Sequence, residues 1–387
     1  MLPWYLWAAL AALLYLSYVS WRYRTLAGAT SALARGRPDA AIRRIRSFLE
    51  APLLPVTRGV RGFAHAQLAS VLEALGRLGE AEREANAALE FVRGRREAAL
   101  VHVLLANILS EADRLDEAAI EARKALAQGR LLDAAPRGRA HAVVQMQAAL
   151  AHVALAQIHL RRGDLDLARA DAGDALQRDS TCPGALVLLA DLNRRQGDFD
   201  AAIDLYSRLL LPDASGVESL RGRTAVAGFG IALALEGKGD LAGAAQRISQ
   251  ILALDLPYPS LRALAGLQLA ACLAALGKSE EARRTLADAQ PHLDALGENR
   301  ELRAHELYNK GRVYRDTGDC EQAVRDLTAA AETAPGPNLL PEIYFALGET
   351  YREMDDVANA REAYSKAAGV LPPGHFSERA KERLATL

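Results

Sequence analysis

The sequence predicts an all-α protein, a solenoid of antiparallel helix pairs behind an N-terminal transmembrane helix. Three observations carry that expectation. An uncharged stretch flanked by aromatic residues opens the chain, a helix-favouring composition fills the rest, and one turn pattern recurs nine times.

The opening segment comes first. Leu2 to Trp21 contains no charged residue. At 1.5 Å per residue it spans about 30 Å, the thickness of a bilayer's hydrocarbon core. All three tryptophans, Trp4, Trp7 and Trp21, lie within it, and Tyr5, Tyr15, Tyr18 and Tyr23 lie in or just after it, as two interfacial belts would require. Ala27-Gly28-Ala29 has the small-residue look of a cleavage site, but no basic region precedes the apolar run, and Arg22 and Arg24 interrupt the approach. Residues 1–21 therefore read as an uncleaved anchor rather than a signal peptide or a buried core helix. No Lys or Arg precedes the span. After it come Arg22, Arg24, Arg35, Arg37, Arg43, Arg44 and Arg46 against Asp39, a net charge of about +6. By the positive-inside rule this flank is cytoplasmic, which predicts a single-pass protein of the plasma or bacterial inner membrane with its repeats in the cytoplasm. Anionic headgroups would hold the same seven arginines at the membrane surface, at on the order of 1 kcal/mol each.

The remaining composition favours helices. Roughly a fifth of the 387 residues are alanine, the best helix former, while aromatics make up only 5%. A net charge of −1 argues against nucleic acid as the main partner, since phosphate binding needs a basic surplus. Cys182, Cys272 and Cys320 are far apart and form no CxxC, so neither a disulfide framework nor a metal site is expected of them. They read as small buried or half-buried residues on helices.

The repeat is read from turn markers at Gly36, Gly76, Asp113, Gly163, Gly197, Gly239, Gly277, Gly318 and Asp355. Five residues after every marker stands an alanine: Ala41, Ala81, Ala118, Ala168, Ala202, Ala244, Ala282, Ala323 and Ala360. Seven residues before every marker stands Ala or Gly, from Ala29 to Gly311 and Gly348. Small residues on both sides of a turn let two antiparallel helices approach closely. Hydrophobes nine and twelve residues after it, such as Ile45 and Phe48 or Tyr206 and Leu209, fill the seam with the next pair. Gly stops one helix, and a following Asp begins the next. A hairpin cannot bury its apolar face alone, so neighbours stack. The longest gap, from Asp113 to Gly163, predicts a linker over 129–140 and a lengthened helix after it.

This pattern resembles the tetratricopeptide repeat, most closely in RVYRDTGDCEQAVRDLTAAAETAP and LGETYREMDDVANAREAYSKAAGVLP. There the small residue, the tyrosine before the turn, the later alanines and the closing proline fall as in that family. Marker spacings run from 34 to 50. The resemblance implies a right-handed superhelix of about nine helix pairs over residues 22–371, and residues 372–387 follow as a C-terminal capping helix. Ser377 is the expected N-cap of that last helix, with Ala380 and Leu384 facing inward. A short span followed by about nine repeats is also similar in architecture to lipopolysaccharide assembly protein B, whose C-terminal rubredoxin-like CxxC…CxxC metal module has no counterpart here.

No catalytic or cofactor motif is present: the sequence has no GxxxxGK[ST], GxSxG or HExxH. His65, His102 and His152 share one position eleven residues before a marker, so they read as packing residues. The resemblance implies a non-enzymatic scaffold whose concave groove, lined by the first helix of each pair, takes a peptide or partner protein. No cofactor or small-molecule substrate is implied. Helical projection places groove positions six, ten and three residues before each marker. The polar residues there are Asn107, Gln157, Asp191, Arg194, Tyr308, Arg312, Arg315 and Glu349. They are expected to be solvated, so that reversing Arg312 and Arg315 would leave stability unchanged. The function implied is a membrane-anchored adaptor that recruits proteins at the cytoplasmic face, in envelope biogenesis for example. The alternatives are an envelope or secretion assembly factor with periplasmic repeats, and a regulatory subunit of a membrane enzyme.

Overall fold

The structure, a computed structural model, describes residues 24–29, 31–32, 37–50, 58–130, 139–210, 217–254, 259–294, 300–334, 336 and 338–387. The expected membrane anchor lies outside the described residues. Among the described residues every regular element is an α-helix. Two compact units are formed, residues 1–158 with 177–179, and residues 159–176 with 180–387.

The first unit contains α1 (Pro38–Glu50), α2 (Arg58–Ala74), α3 (Leu78–Phe91), α4 (Arg95–Glu111), α5 (Leu115–Arg130) and most of α6 (Arg139–Arg162). The second contains α7 (Leu165–Arg178), α8 (Pro183–Gln196), α9 (Phe199–Arg208), α10 (Val217–Gly237), α11 (Leu241–Leu252), α12 (Pro259–Ala275), α13 (Ser279–Asp294), α14 (Arg300–Asp316), α15 (Cys320–Thr333), α16 (Leu340–Glu353), α17 (Val357–Gly369) and α18 (His375–Thr386). Within each unit first helices pack most extensively on their hairpin partners, as α4 does on α5 and α14 on α15.

The turns have one geometry. Apart from Gly36, which lies outside the described residues, every marker has a positive φ, from 91° at Gly197 to 61° at Asp113 and 58° at Asp355. Glycine takes this left-handed conformation at no steric cost, and aspartate is among the few other residues that tolerate it. After each of these markers the next amide donates to a carbonyl five residues back, as Asp198 N–H does to Asn193 at 2.9 Å and Asp319 N–H to Tyr314 at 2.8 Å. This is the Schellman closure of a helix C-terminus. The following Asp caps the next helix: Asp240, Asp319 and Asp356 accept from Gly243, Gln322 and Asn359.

The small residues do what their spacing requires. Each alanine five after a marker is at most 1% exposed. At Gly311 an added Cβ would lie 2.6 Å from Leu327 Cγ, and at Gly348 2.5 Å from Tyr364 Cε1. Tyr206, Ile45 and Ile248 fill the seams between pairs and are almost fully buried.

The structure corrects three local expectations. The 129–140 linker is shorter, because its two ends extend α5 and α6. Residues 131–138 lie outside the described residues. Ser377 is not the N-cap of α18. Gly374 occupies that place in extended conformation, and Ser377, now inside the first turn, is fully buried. Cys182 is buried but sits at the N-cap of α8 rather than within a helix. Ala380 and Leu384 do face inward, against a cluster with Phe345 and Tyr364.

One described helix, α6 over His141–Arg162, is long and apolar enough to cross a membrane. Its apolar residues are engaged within the first unit, where Ala151, Ala154, Leu155 and Ile158 pack against residues of α4 and α5. Burial accounts for its composition.

Replacing the buried Ala202 with Leu would overfill the α8–α9–α10 crossing and is expected to cost about 1–3 kcal/mol. Ala201→Leu, on the exposed side of the same helix, should stay within roughly ±0.5 kcal/mol, and denaturant titration separates the two.

Candidate functional site

The second unit holds a cavity of about 350 Å³. Its walls come mainly from first helices, and most of the polar residues that line it follow from the repeat. Position three before the marker supplies Arg194 on α8, Glu236 on α10 and Arg315 on α14, and position six supplies Arg312 on α14 and Glu349 on α16. Phe199, Leu233, Tyr308 and Phe345 give the cavity an apolar side.

These polar groups bind one another across the groove. Arg312 Nη2 donates to Glu236 Oε1, and Gln268 Nε2 on α12 donates to the other oxygen of the same carboxylate. Arg194 Nη1 lies 3.7 Å from Glu342 Oε1 on α16, and its Nε lies 3.8 Å from Asp191 Oδ1. Tyr206 OH donates to Asp191 at 2.5 Å. Arg195 Nη1 donates to Asn338 Oδ1 at 2.6 Å. Arg315 Nη2 is 2.6 Å from Asp316, while Glu349 accepts from Tyr364 OH at 2.6 Å and Arg383 Nε at 2.8 Å.

Burial works against the charge on Arg312 and Arg194, but the facing carboxylates outweigh it and raise both guanidinium pKa values. For Glu349, burial would raise the carboxyl pKa, yet the bonds from Tyr364 and Arg383 hold it below the usual range. Burial, aided by Arg379, lowers the imidazole of His375.

Of the eight residues read as groove positions, Arg194, Tyr308, Arg312, Arg315 and Glu349 border this cavity, and Asp191 sits behind Arg194. Asn107 and Gln157 belong to the first unit, half-buried and exposed respectively, and are not brought into this site. The expectation that the arginines are solvated is overturned. The Arg312 and Arg315 side chains are only 12% and 18% exposed, because partners on the same and facing helices enclose them. Of the membrane-surface set, Arg22 and Arg35 lie outside the described residues. Arg24, Arg37, Arg43 and Arg44 are exposed, and Arg46 pairs with Glu80 at 2.9 Å.

Sequence reasoning missed Glu236, Gln268, Glu342 and Arg195. Glu236 had a signal, since it occupies the same position before its marker as Arg194 and Arg315. In the first unit, His65 and His102 are half-buried as expected, but each also meets a carboxylate at 2.7 Å, Glu84 and Glu121, both eight residues after a marker. Glu73 of that unit is half-buried near Glu111, and desolvation, aided by that carboxylate, pushes its carboxyl up to about 7.

Residues 153–217 and 308–375 match the model of the tetratricopeptide repeat. Those two stretches carry tetratricopeptide repeats. Solved structures with the same kind of fold include the apo form of the quorum sensor NprR from B. thuringiensis. It shares 14% identity over 90% of this chain and 98% of that one, with a TM-score of 0.55. The apo form of RapI shares 10% identity over 94% and 98%, also at 0.55. PilF of Pseudomonas aeruginosa shares 21% over 68% and 99%, at 0.41. No curated protein matches the sequence.

Arg312→Glu would set a carboxylate against Glu236 inside the groove, and breaking such an enclosed pair typically costs about 3–5 kcal/mol. Adding Glu236→Arg should recover part of that loss in a double-mutant cycle. His375 should titrate below about 6.5 by NMR in the intact chain and near 6.5 in denaturant. Because docking favours the neutral ring, the stability it contributes is present above that range and lost as pH falls through the lowered value.

Proposed function

We propose that this protein is a tetratricopeptide-repeat adaptor, non-enzymatic, that docks a peptide or partner-protein segment in the groove of its second unit. The observation that supports this is the convergence of Arg194, Glu236, Arg312 and Glu349, from four successive first helices apart from α12, on one cavity with an apolar side. Main-chain and side-chain groups of an extended segment can exchange with such hydrogen bonds, and aromatic walls take its apolar side chains. The uncharged Leu2–Trp21 stretch and the arginines after it support anchoring at a membrane with the repeats on the cytoplasmic side. A role in recruiting envelope proteins is consistent with that placement.

Ala275 ends α12, is exposed and borders the cavity. Ala275→Trp should fill the groove with a stability change within roughly ±0.5 kcal/mol, and should remove at least one partner from in-cell crosslinking of the anchored chain. A full partner set on the folded variant would discard groove docking. An alkaline phosphatase fused after Leu387 should be inactive. High activity would place the repeats outside the cytoplasm.

A further inference from the structure

Part of the cavity wall comes from the chain's own C-terminal stretch. Leu371 to Phe376 and Arg379 all border it, together with the first helices. The stretch leaves α17 and crosses to the opposite end of the second unit before α18 begins. There a Cβ on Gly163 would touch Pro372 Cδ at 3.4 Å, and a Cβ on Gly374 would come within 2.8 Å of the Arg195 carbonyl oxygen. The His375 ring stands edge-on to Phe199 at 5.1 Å. On the other side, the Arg379 guanidinium lies 4.5 Å over the Phe345 ring.

A helix that only capped the array would need no such crossing. Phe376, Ala380 and Leu384 already seat α18 on Phe345, Tyr364 and Ala367. The crossing strap itself has little anchorage, with Leu371 74% exposed. Its two prolines fix φ at two successive positions, which lowers the entropy lost on docking.

The geometry points to residues 371–376 as an intramolecular ligand of the groove, which a partner carrying a Pro-Pro-Gly-aromatic segment displaces. The inference rests on the groove being a docking surface. A tethered segment acts at a high effective concentration, so it lowers the apparent affinity of any competitor by the fraction of time it is docked. The strap thus makes entry selective for segments that replace its own contacts.

The test uses the full chain and a fluorescein-labelled peptide of residues 369–380. Gly374 has an extended backbone, φ −140° and ψ −173°, that any residue adopts. Gly374→Val therefore adds only the clash with Arg195 and should lift the strap while Ala380 and Leu384 keep the rest of α18 seated. The peptide should bind this variant at least about tenfold more tightly than the wild type by anisotropy, and Ala275→Trp in the same background should remove that binding. Equal binding to both chains, or none to the variant, overturns the proposal. If Gly374→Val fails to fold, His375→Gly, which deletes the ring contact with Phe199, is read against the same outcomes. Partner retention by Ala275→Trp would discard groove docking and leave this titration intact, whereas equal titrations would discard only the strap's role.

Discussion

Everything in this molecule depends on how closely two helices can approach on either side of a left-handed turn. The turn residue reverses the chain, and the small residues seven before and five after it remove the side-chain bulk that would keep the axes apart. At Gly348 there is no room even for a methyl group, since Tyr364 fills the space. The tyrosine can pack there only because the glycine is bare. Its hydroxyl then reaches Glu349, and Glu349 reaches Arg383 of the terminal helix. Packing at the turn thus fixes where groove charges end up.

That dependence explains what the sequence revealed. The turns, the alanine pairs and the apolar seams are local, set by spacings of a dozen residues or fewer, and each could be read without knowing the rest. The direction in which Arg194, Arg312 and Arg315 point was legible for the same reason. What they meet was not. Glu342 comes to Arg194, and Glu236 to Arg312, only after the rotations of three intervening hairpins and of one have accumulated. No local pattern encodes that sum, so groups read as solvated are in fact enclosed. The start of α18 escaped for a related reason. Ser377 has the chemistry of a cap, but the cap falls three residues earlier, at Gly374, which lies close to Arg195 far away in sequence.

The charges of the groove are therefore largely paired with one another. Its arginines and carboxylates bind each other, so any docking segment must offer at least equivalent bonds to those it disturbs. This favours discrimination among partners over raw affinity, because an imperfect match leaves a buried charge without a partner.

The bonds across the groove also change how the second unit holds together. A plain solenoid couples each repeat only to its neighbours, so it can fray from an end, one hairpin at a time. Here Arg312 and Glu236 join residues 76 positions apart, and Arg195 and Asn338 join residues 143 apart. Such links turn an open stack into something closer to a ring, in which losing one hairpin strips contacts from hairpins it does not adjoin. They raise the contact order, which slows folding, and they bind the unit into a single cooperative block. A repeat array in which ends matter to each other cannot be shortened hairpin by hairpin without loosening what remains.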